Sequence, residues 1–273
     1  MHPLLRIVFR PPMSFVHATH APLRNGRLRG LAPRAGAGAL LALLGLGAAG
    51  CSVKAPDNAN LIVGKQEFVA KCGSCHTLAR ANTKGIVGPN LDEAFRASIA
   101  EGLQRSSVRG VVEGQIQLPN PEGAMPKDLV SGAKLKDIAA YVAQSAAASG
   151  KDTGLLATAV EAPGSGKPAV ETAGKLAIPA SPSGQLAYAT SKATAKSGAV
   201  TIEMANMSGV SHNIAVESGS GGASGSGPVL GASSFTSKGT VSVKVNLKPG
   251  TYTYFCQAPG HRAAGMYGTI TVK

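Results

Sequence analysis

Two short stretches hold residues whose types and spacing can do chemistry. The first is Cys72-Gly73-Ser74-Cys75-His76. Cysteines three apart put both sulfurs on one side of a single turn, where each can add to a vinyl group of one porphyrin while the following histidine swings onto its iron. This is the signature of covalent c-type haem attachment. The same spacing also serves a thioredoxin-like redox pair, half of a zinc site, or no chemistry at all. A zinc site needs two more ligands, and no further Cys or His stands between residues 52 and 211. The second stretch is Cys256-Gln257-Ala258-Pro259-Gly260-His261-Arg262-Ala263-Ala264-Gly265-Met266. A thiolate, an imidazole and a thioether on one loop need one more imidazole to make a trigonal copper site with a weak axial sulfur, and His212 supplies it. The competing reading is a structural immunoglobulin-like domain with an unpaired buried cysteine. In an oxidising compartment, a free thiol beside a lone histidine is a liability.

Composition limits what can surround these stretches. A chain of 273 residues suits about two domains. Aromatics make up 4% and Trp is absent, so large apolar cores are not expected and a cofactor is a natural source of stability. The net charge of +13 does not point to nucleic acid, because six Arg and no acid fall in residues 1–50 and leave 21 basic against 14 acidic residues elsewhere.

That first segment reads as a signal. Arg24, Arg27, Arg29 and Arg34 precede an uncharged apolar run, Ala35 to Gly50, that ends in small residues before Cys51. The run is shorter than the roughly 20 residues a stable bilayer-spanning helix needs. Leu46-Gly47-Ala48-Ala49-Gly50-Cys51 resembles a bacterial lipobox, with Cys51 as the lipidated first mature residue; Ala48 departs from the usual leucine. The alternative is an uncleaved anchor with Cys51 as a bystander. Either way the rest of the chain lies outside the cytoplasm at a membrane surface. Met13 is a second candidate start.

Residues 51–60 read as a polar tether, and helical periodicity begins at Leu61. Phe68, four residues before Cys72, places an apolar stripe under the first motif. Leu135, Ile138, Tyr141 and Val142 form a second stripe able to pack on it, with Lys134, Lys136 and Asp137 off the stripe. Phe95, Ile99 and Leu103, then Val108, Val111 and Val112, predict shorter helices between. Residues 148–174, rich in Gly, Ser, Pro, Ala and Thr, read as a flexible linker with an end-to-end distance of about 28 Å. Beyond it the period becomes two. Val200 to Met204, Val241 to Leu247 and Thr251 to Cys256 predict strands, with a turn at Lys248-Pro249-Gly250, in an antiparallel sandwich or barrel. The run Ser218 to Gly227 reads as a floppy insertion, and Met204 and Met207 read as core fillers.

Residues 61–147 resemble a small class I cytochrome c domain. Gly88-Pro89-Asn90-Leu91 is similar to that family's proximal loop, which implies that the Pro89 carbonyl orients His76. Met125, in the proline-rich loop before the last helix, stands where the family carries its distal ligand. The resemblance therefore implies His76 and Met125 as axial ligands, a pairing that favours electron transfer. Residues 175–273 resemble the cupredoxins. The four-residue gaps on each side of His261 look closest to rusticyanin and its relatives. The resemblance implies copper bound by His212, Cys256, His261 and Met266, with the Asn213 side chain linking the two ligand loops.

The expected fold is an all-α cytochrome c domain followed by an all-β cupredoxin Greek-key sandwich. The expected function is an exported, membrane-tethered electron carrier, not an enzyme, with one haem c and one type 1 copper. A binuclear copper centre needs a second Cys, and a type 2 site needs histidines that are absent. Both families imply redox partners: an upstream cytochrome or quinol-oxidising complex, and a downstream terminal oxidase or reductase. Eight basic against two acidic residues in 175–273, with Arg262 beside His261, suggest docking of an acidic partner. Two other functions stay open. One is a haem peroxidase-like enzyme or gas sensor, if Met125 does not bind iron. The other is copper storage or delivery.

Overall fold

The computed structural model describes residues 58–225 and 227–273, all within one compact unit spanning Lys54–Lys273. The signal segment, the alternative start at Met13, Cys51 and most of the tether lie outside the described residues. Among the described residues no helix is long and apolar enough to cross a membrane.

Helix α1 (Leu61–Lys71) starts where the Asn60 side chain accepts hydrogen bonds from the amides of Ile62 and Val63. Two short strands, β1 (Thr77–Leu78) and β2 (Thr83–Lys84), pair antiparallel just after the first motif. Helices α2 (Leu91–Ala100), α3 (Arg105–Gln117) and α4 (Gly132–Ser145) follow. The proline-rich loop between α3 and α4 is non-helical and carries Met125. Phe68, Val69 and Cys72 of the first segment bury against Ile138, Tyr141 and Val142 of α4, with the Phe68 and Tyr141 rings 6.3 Å apart. Asp137 departs from its expected exposed place. It is buried because its carboxylate accepts the Asn60 amide at 2.8 Å, fixing the start of α1.

The two helices touch backbone to backbone at Gly64, where a Cβ would overlap the Asp137 carbonyl oxygen. Gly64→Ala should therefore destabilise the protein despite alanine's helix propensity, worth about 1 kcal/mol. Forcing α1 away from α4 costs about 1–3 kcal/mol. A lower thermal midpoint in the variant is the expected result; a raised one would show that α1 and α4 separate freely.

The segment 148–174, expected to be a flexible linker, is instead a strap. Asp152 is buried, with Lys65 Nζ at 3.1 Å, Arg80 Nε at 2.8 Å, and the Tyr141 hydroxyl donating to it at 2.9 Å. Burial, followed by that hydrogen bond, pushes the Tyr141 phenol well above its ordinary pKa. A short helix, α5 (Gly154–Thr158), lies on α1, where Lys65 Nζ donates to the Leu156 carbonyl and Gln66 donates to that of Ala159. Leu156 and Val160 pack on the helical core. The strap's far end adds strand β3 (Ala169–Val170) to a sheet. A segment this poor in apolar residues has no core of its own, but it holds its place on ion pairs and borrowed strand edges.

The strands of the remaining residues form two sheets. One sheet has the order β3, β5 (Lys192–Ala195), β11 (Tyr267–Val272), β10 (Gly250–Phe255), β7 (Ala215–Ser218), β8 (Val229–Ala232). The other has β4 (Lys175–Ala177), β6 (Gly198–Asn206) and β9 (Gly239–Leu247). Alternation along β6 and β9 turns Val200, Ile202, Met204, Val243, Val245 and Leu247 into the core between the two sheets, with Ile202 paired opposite Val243. The sandwich is mixed rather than purely antiparallel, since β5 pairs parallel with β11 and with β3, and β4 pairs parallel with β6.

Two further expectations change. Met204 is fully buried, but Met207 is 70% exposed and fills no core, because β6 ends at Asn206. Of the Ser218 to Gly227 run, expected to be floppy, the described residues 218–225 are tied down. The Gly221 amide donates to Thr253 Oγ1, and the Gly222 carbonyl accepts from Arg262 Nε at 2.8 Å.

Candidate metal centre

Three donor side chains, His212, Cys256 and His261, converge in the sheet domain, and Met266 is buried in the same cluster as Cys256. His212 lies between β6 and β7, held by paired main-chain hydrogen bonds with Thr236 and fully buried. Cys256 follows the last residue of β10, and His261 opens a single helical turn, α6 (His261–Ala264). Met266, just before β11, is fully buried; its amide donates to the His261 carbonyl and its carbonyl accepts the Cys256 amide. The loop thus closes on itself through its own main chain, and this fixes the spacing that the sequence shows.

The donor atoms face one another. His212 Nδ1 and His261 Nδ1 are 3.1 Å apart, and Cys256 Sγ is 4.0 Å from the first and 3.5 Å from the second. Ligand bonds of about 2.0–2.3 Å around one ion separate neighbouring donors by about 3–4 Å, so this cluster fits a single metal ion. Burial, then the neighbouring His261, pushes His212 down to about 4, and burial lowers His261 as well. Both imidazoles are therefore neutral near pH 7 and present lone pairs, the form that binds metal. Burial raises the Cys256 thiol, opposed by backbone amides of Asn213 and Ala258 directed at the sulfur. Metal binding must then release the thiol proton, while those amides favour the thiolate that remains.

Asn213 laces the two ligand loops. Its Nδ2 donates to Gln257 Oε1 at 2.8 Å and to the Ser233 carbonyl, and its Oδ1 accepts the Gln257 amide at 2.8 Å. The buried Tyr188 hydroxyl donates to the Asn213 carbonyl at 2.8 Å and so pins the first loop from below. Asn213→Ala should weaken metal retention about 10–100-fold, the usual cost of losing such support. Competition with a chelator measures this, and an unchanged affinity would remove Asn213 from the metal's support.

Residues 178–273 match the family of copper-binding proteins described as the plastocyanin/azurin family. The sheet domain is cupredoxin-like. Among solved structures, auracyanin A, a "blue" copper protein from Chloroflexus aurantiacus, is 26% identical and matches 36% of this chain and 98% of its own, with a TM-score of 0.31. Auracyanin from Roseiflexus castenholzii is 25% identical over 38% of this chain and 99% of its own, with a TM-score of 0.32. Reduced rusticyanin is 20% identical over 38% and 83%, with a TM-score of 0.30. No curated protein matches the chain.

Sequence reasoning missed what Arg262 does in this cupredoxin-like domain. Its guanidinium makes a two-pronged ion pair with the buried Glu217, at 2.9 and 2.6 Å, and lies 4.0 Å above the Phe255 ring. It is engaged inside the protein rather than offered to an acidic partner. It anchors the turn that begins with His261 onto β7.

The first motif is also assembled. The amides of Cys75 and His76 donate to the Cys72 carbonyl, so the three residues share one turn at the end of α1. No disulfide joins the described cysteines. Burial, then Cys75 and Glu67, pushes the Cys72 thiol up to about 12. His76 Nδ1 is 2.9 Å from the Pro89 carbonyl oxygen, which fixes the ring and leaves Nε2 as the nitrogen available to a ligand. A Cβ on Gly88 would lie 2.5 Å from His76 Cε1, so only glycine lets this loop rest on the ring. Met125 is half-buried against the same apolar cluster that contains Cys72.

Proposed function

We propose that the chain is an electron carrier with two one-electron centres. The observation that carries this is the meeting of His212, Cys256 and His261 at 3.1–4.0 Å, with Met266 buried in the same cluster as Cys256. Copper in this ligand set changes oxidation state with little change in geometry. The protein's part is to hold the donors still: the Cys256–Met266 main-chain link, Asn213 across the two loops, and Arg262 on Glu217 all resist rearrangement. With His212, Cys256 and Met266 buried and only His261 part-exposed, the donor set leaves little room for a substrate, which supports a carrier rather than an enzyme.

The second centre would be a haem c attached to Cys72 and Cys75, with His76 and Met125 supplying the ligands to its iron. The supporting geometry is the His76–Pro89 contact and the two free thiols one turn apart. Met125, packed against the cluster that contains Cys72, would close the iron to gases and peroxide. Export, a lipid at Cys51 and redox partners on either side of the carrier complete the proposal.

The test is the visible spectrum and metal content of the purified protein. One covalent haem and one copper with an intense thiolate-to-copper band are expected, and colourless protein would overturn the reading. Met125→Ala should lower the haem potential and alter the ferric spectrum, since a thioether ligand raises the potential. A variant with the wild-type spectrum would return the haem to the open-site readings.

A further inference from the structure

The cupredoxin-like domain meets the helical part along one seam. A Cβ on Gly184 would lie 2.8 Å from the Ala70 carbonyl oxygen, so this sheet-side turn rests on the end of α1, close to Cys72. Next to it, Gln185 donates to the Glu161 carbonyl of the strap at 3.1 Å. Gly73, Thr83 and Lys84 from the helical side and Leu186 and Ala264 from the sheet side line one crevice. At the end of the seam a Cβ placed on Gly260 would stand 2.6 Å from Ile86 Cδ1. Gly260 has a φ of 78° and directly precedes His261. Ile86 stands two residues before Gly88, which rests on the His76 ring. The two ligand loops therefore touch, and the Asp152 ion pairs hold the strap that joins them.

We propose that this seam is a built-in docking face, and that the loop carrying Ile86 is the copper loop's own redox partner, so that an electron crosses between the centres within one chain. The proposal rests on the two-centre reading above. One centre is oxidised as the other is reduced by a single electron, with no bond made or broken and no proton carried. Ile86 lies outside the helical core and stays 71% exposed even with Gly260 beside it, so the contact is made by the tip of its side chain at the solvent-facing edge of the seam.

The experiment uses the full chain with both centres loaded, photoreduced at one centre while both absorbances are followed. The expected transfer is first order, with a rate constant unchanged over a tenfold range of protein concentration. Ile86→Glu, which sets a carboxylate against Gly260, should slow it at least tenfold with both spectra intact. Ile86→Ser should act in the same direction, but less. Hydrogen exchange gives a readout independent of electron transfer: Ile86→Glu should raise exchange in residues 257–266 as well as in its own loop. A rate proportional to protein concentration, or exchange in 257–266 that ignores the substitution, overturns the docking and leaves the two-centre reading standing. Protein that holds only one of the two centres overturns both.

Discussion

Asp152→Ala should lower the unfolding free energy by about 3 kcal/mol and open residues 148–174 to proteolysis, because breaking a buried ion pair from one side costs about 3–5 kcal/mol. The carboxylate faces two cations, Lys65 and Arg80, whose side chains are only 8% and 16% exposed. The lower end of that range applies for two reasons. Lys65 keeps the Leu156 carbonyl as a partner, and the Arg80 Nε contact is a close ionic approach rather than an aligned hydrogen bond. Tyr141 also loses the acceptor for its buried hydroxyl. Chemical denaturation gives the free energy, and timed proteolysis gives the strap. An unchanged midpoint with intact 148–174 would mean that the strap is held by its strand pairing alone.

Asp152 also shows where the sequence was silent. A single acid among Gly, Ser and Ala looks like ordinary solvated linker, and its partners stand 87 and 72 positions away. The same distance problem hid the Arg262–Glu217 pair, separated by 45 residues, and the Tyr188 support of Asn213, separated by 25. The candidate donors are legible because Cys256, His261 and Met266 sit on one short loop and His212 is the histidine left over. Strand faces were legible too, since alternation in β6 and β9 follows directly from which side is buried. Parallel pairing of β5 with β11 was not, because pattern tells which face of a strand is buried and nothing about its neighbour.

Acid should separate the metal-free from the copper-loaded protein. In the metal-free chain, burial and the adjacent His261 hold His212 down to about 4, against an ordinary value of 6.5. Unfolded chains therefore take up a proton at His212 as the pH falls through about 6.5, whereas folded ones do so only near 4. The unfolded state binds more protons across that window, so stability is fully present above it and is lost progressively on the way down. The loss for this one histidine is on the order of 3 kcal/mol. His261, also lowered by burial, adds in the same direction. Copper held between His212 and His261 would occupy the nitrogens that otherwise accept these protons, so the loaded protein should keep its thermal midpoint to lower pH and then lose metal and fold together. Midpoints measured from pH 7.5 to 4.5 with and without copper check this. Parallel curves would mean that the metal is held somewhere other than between His212 and His261.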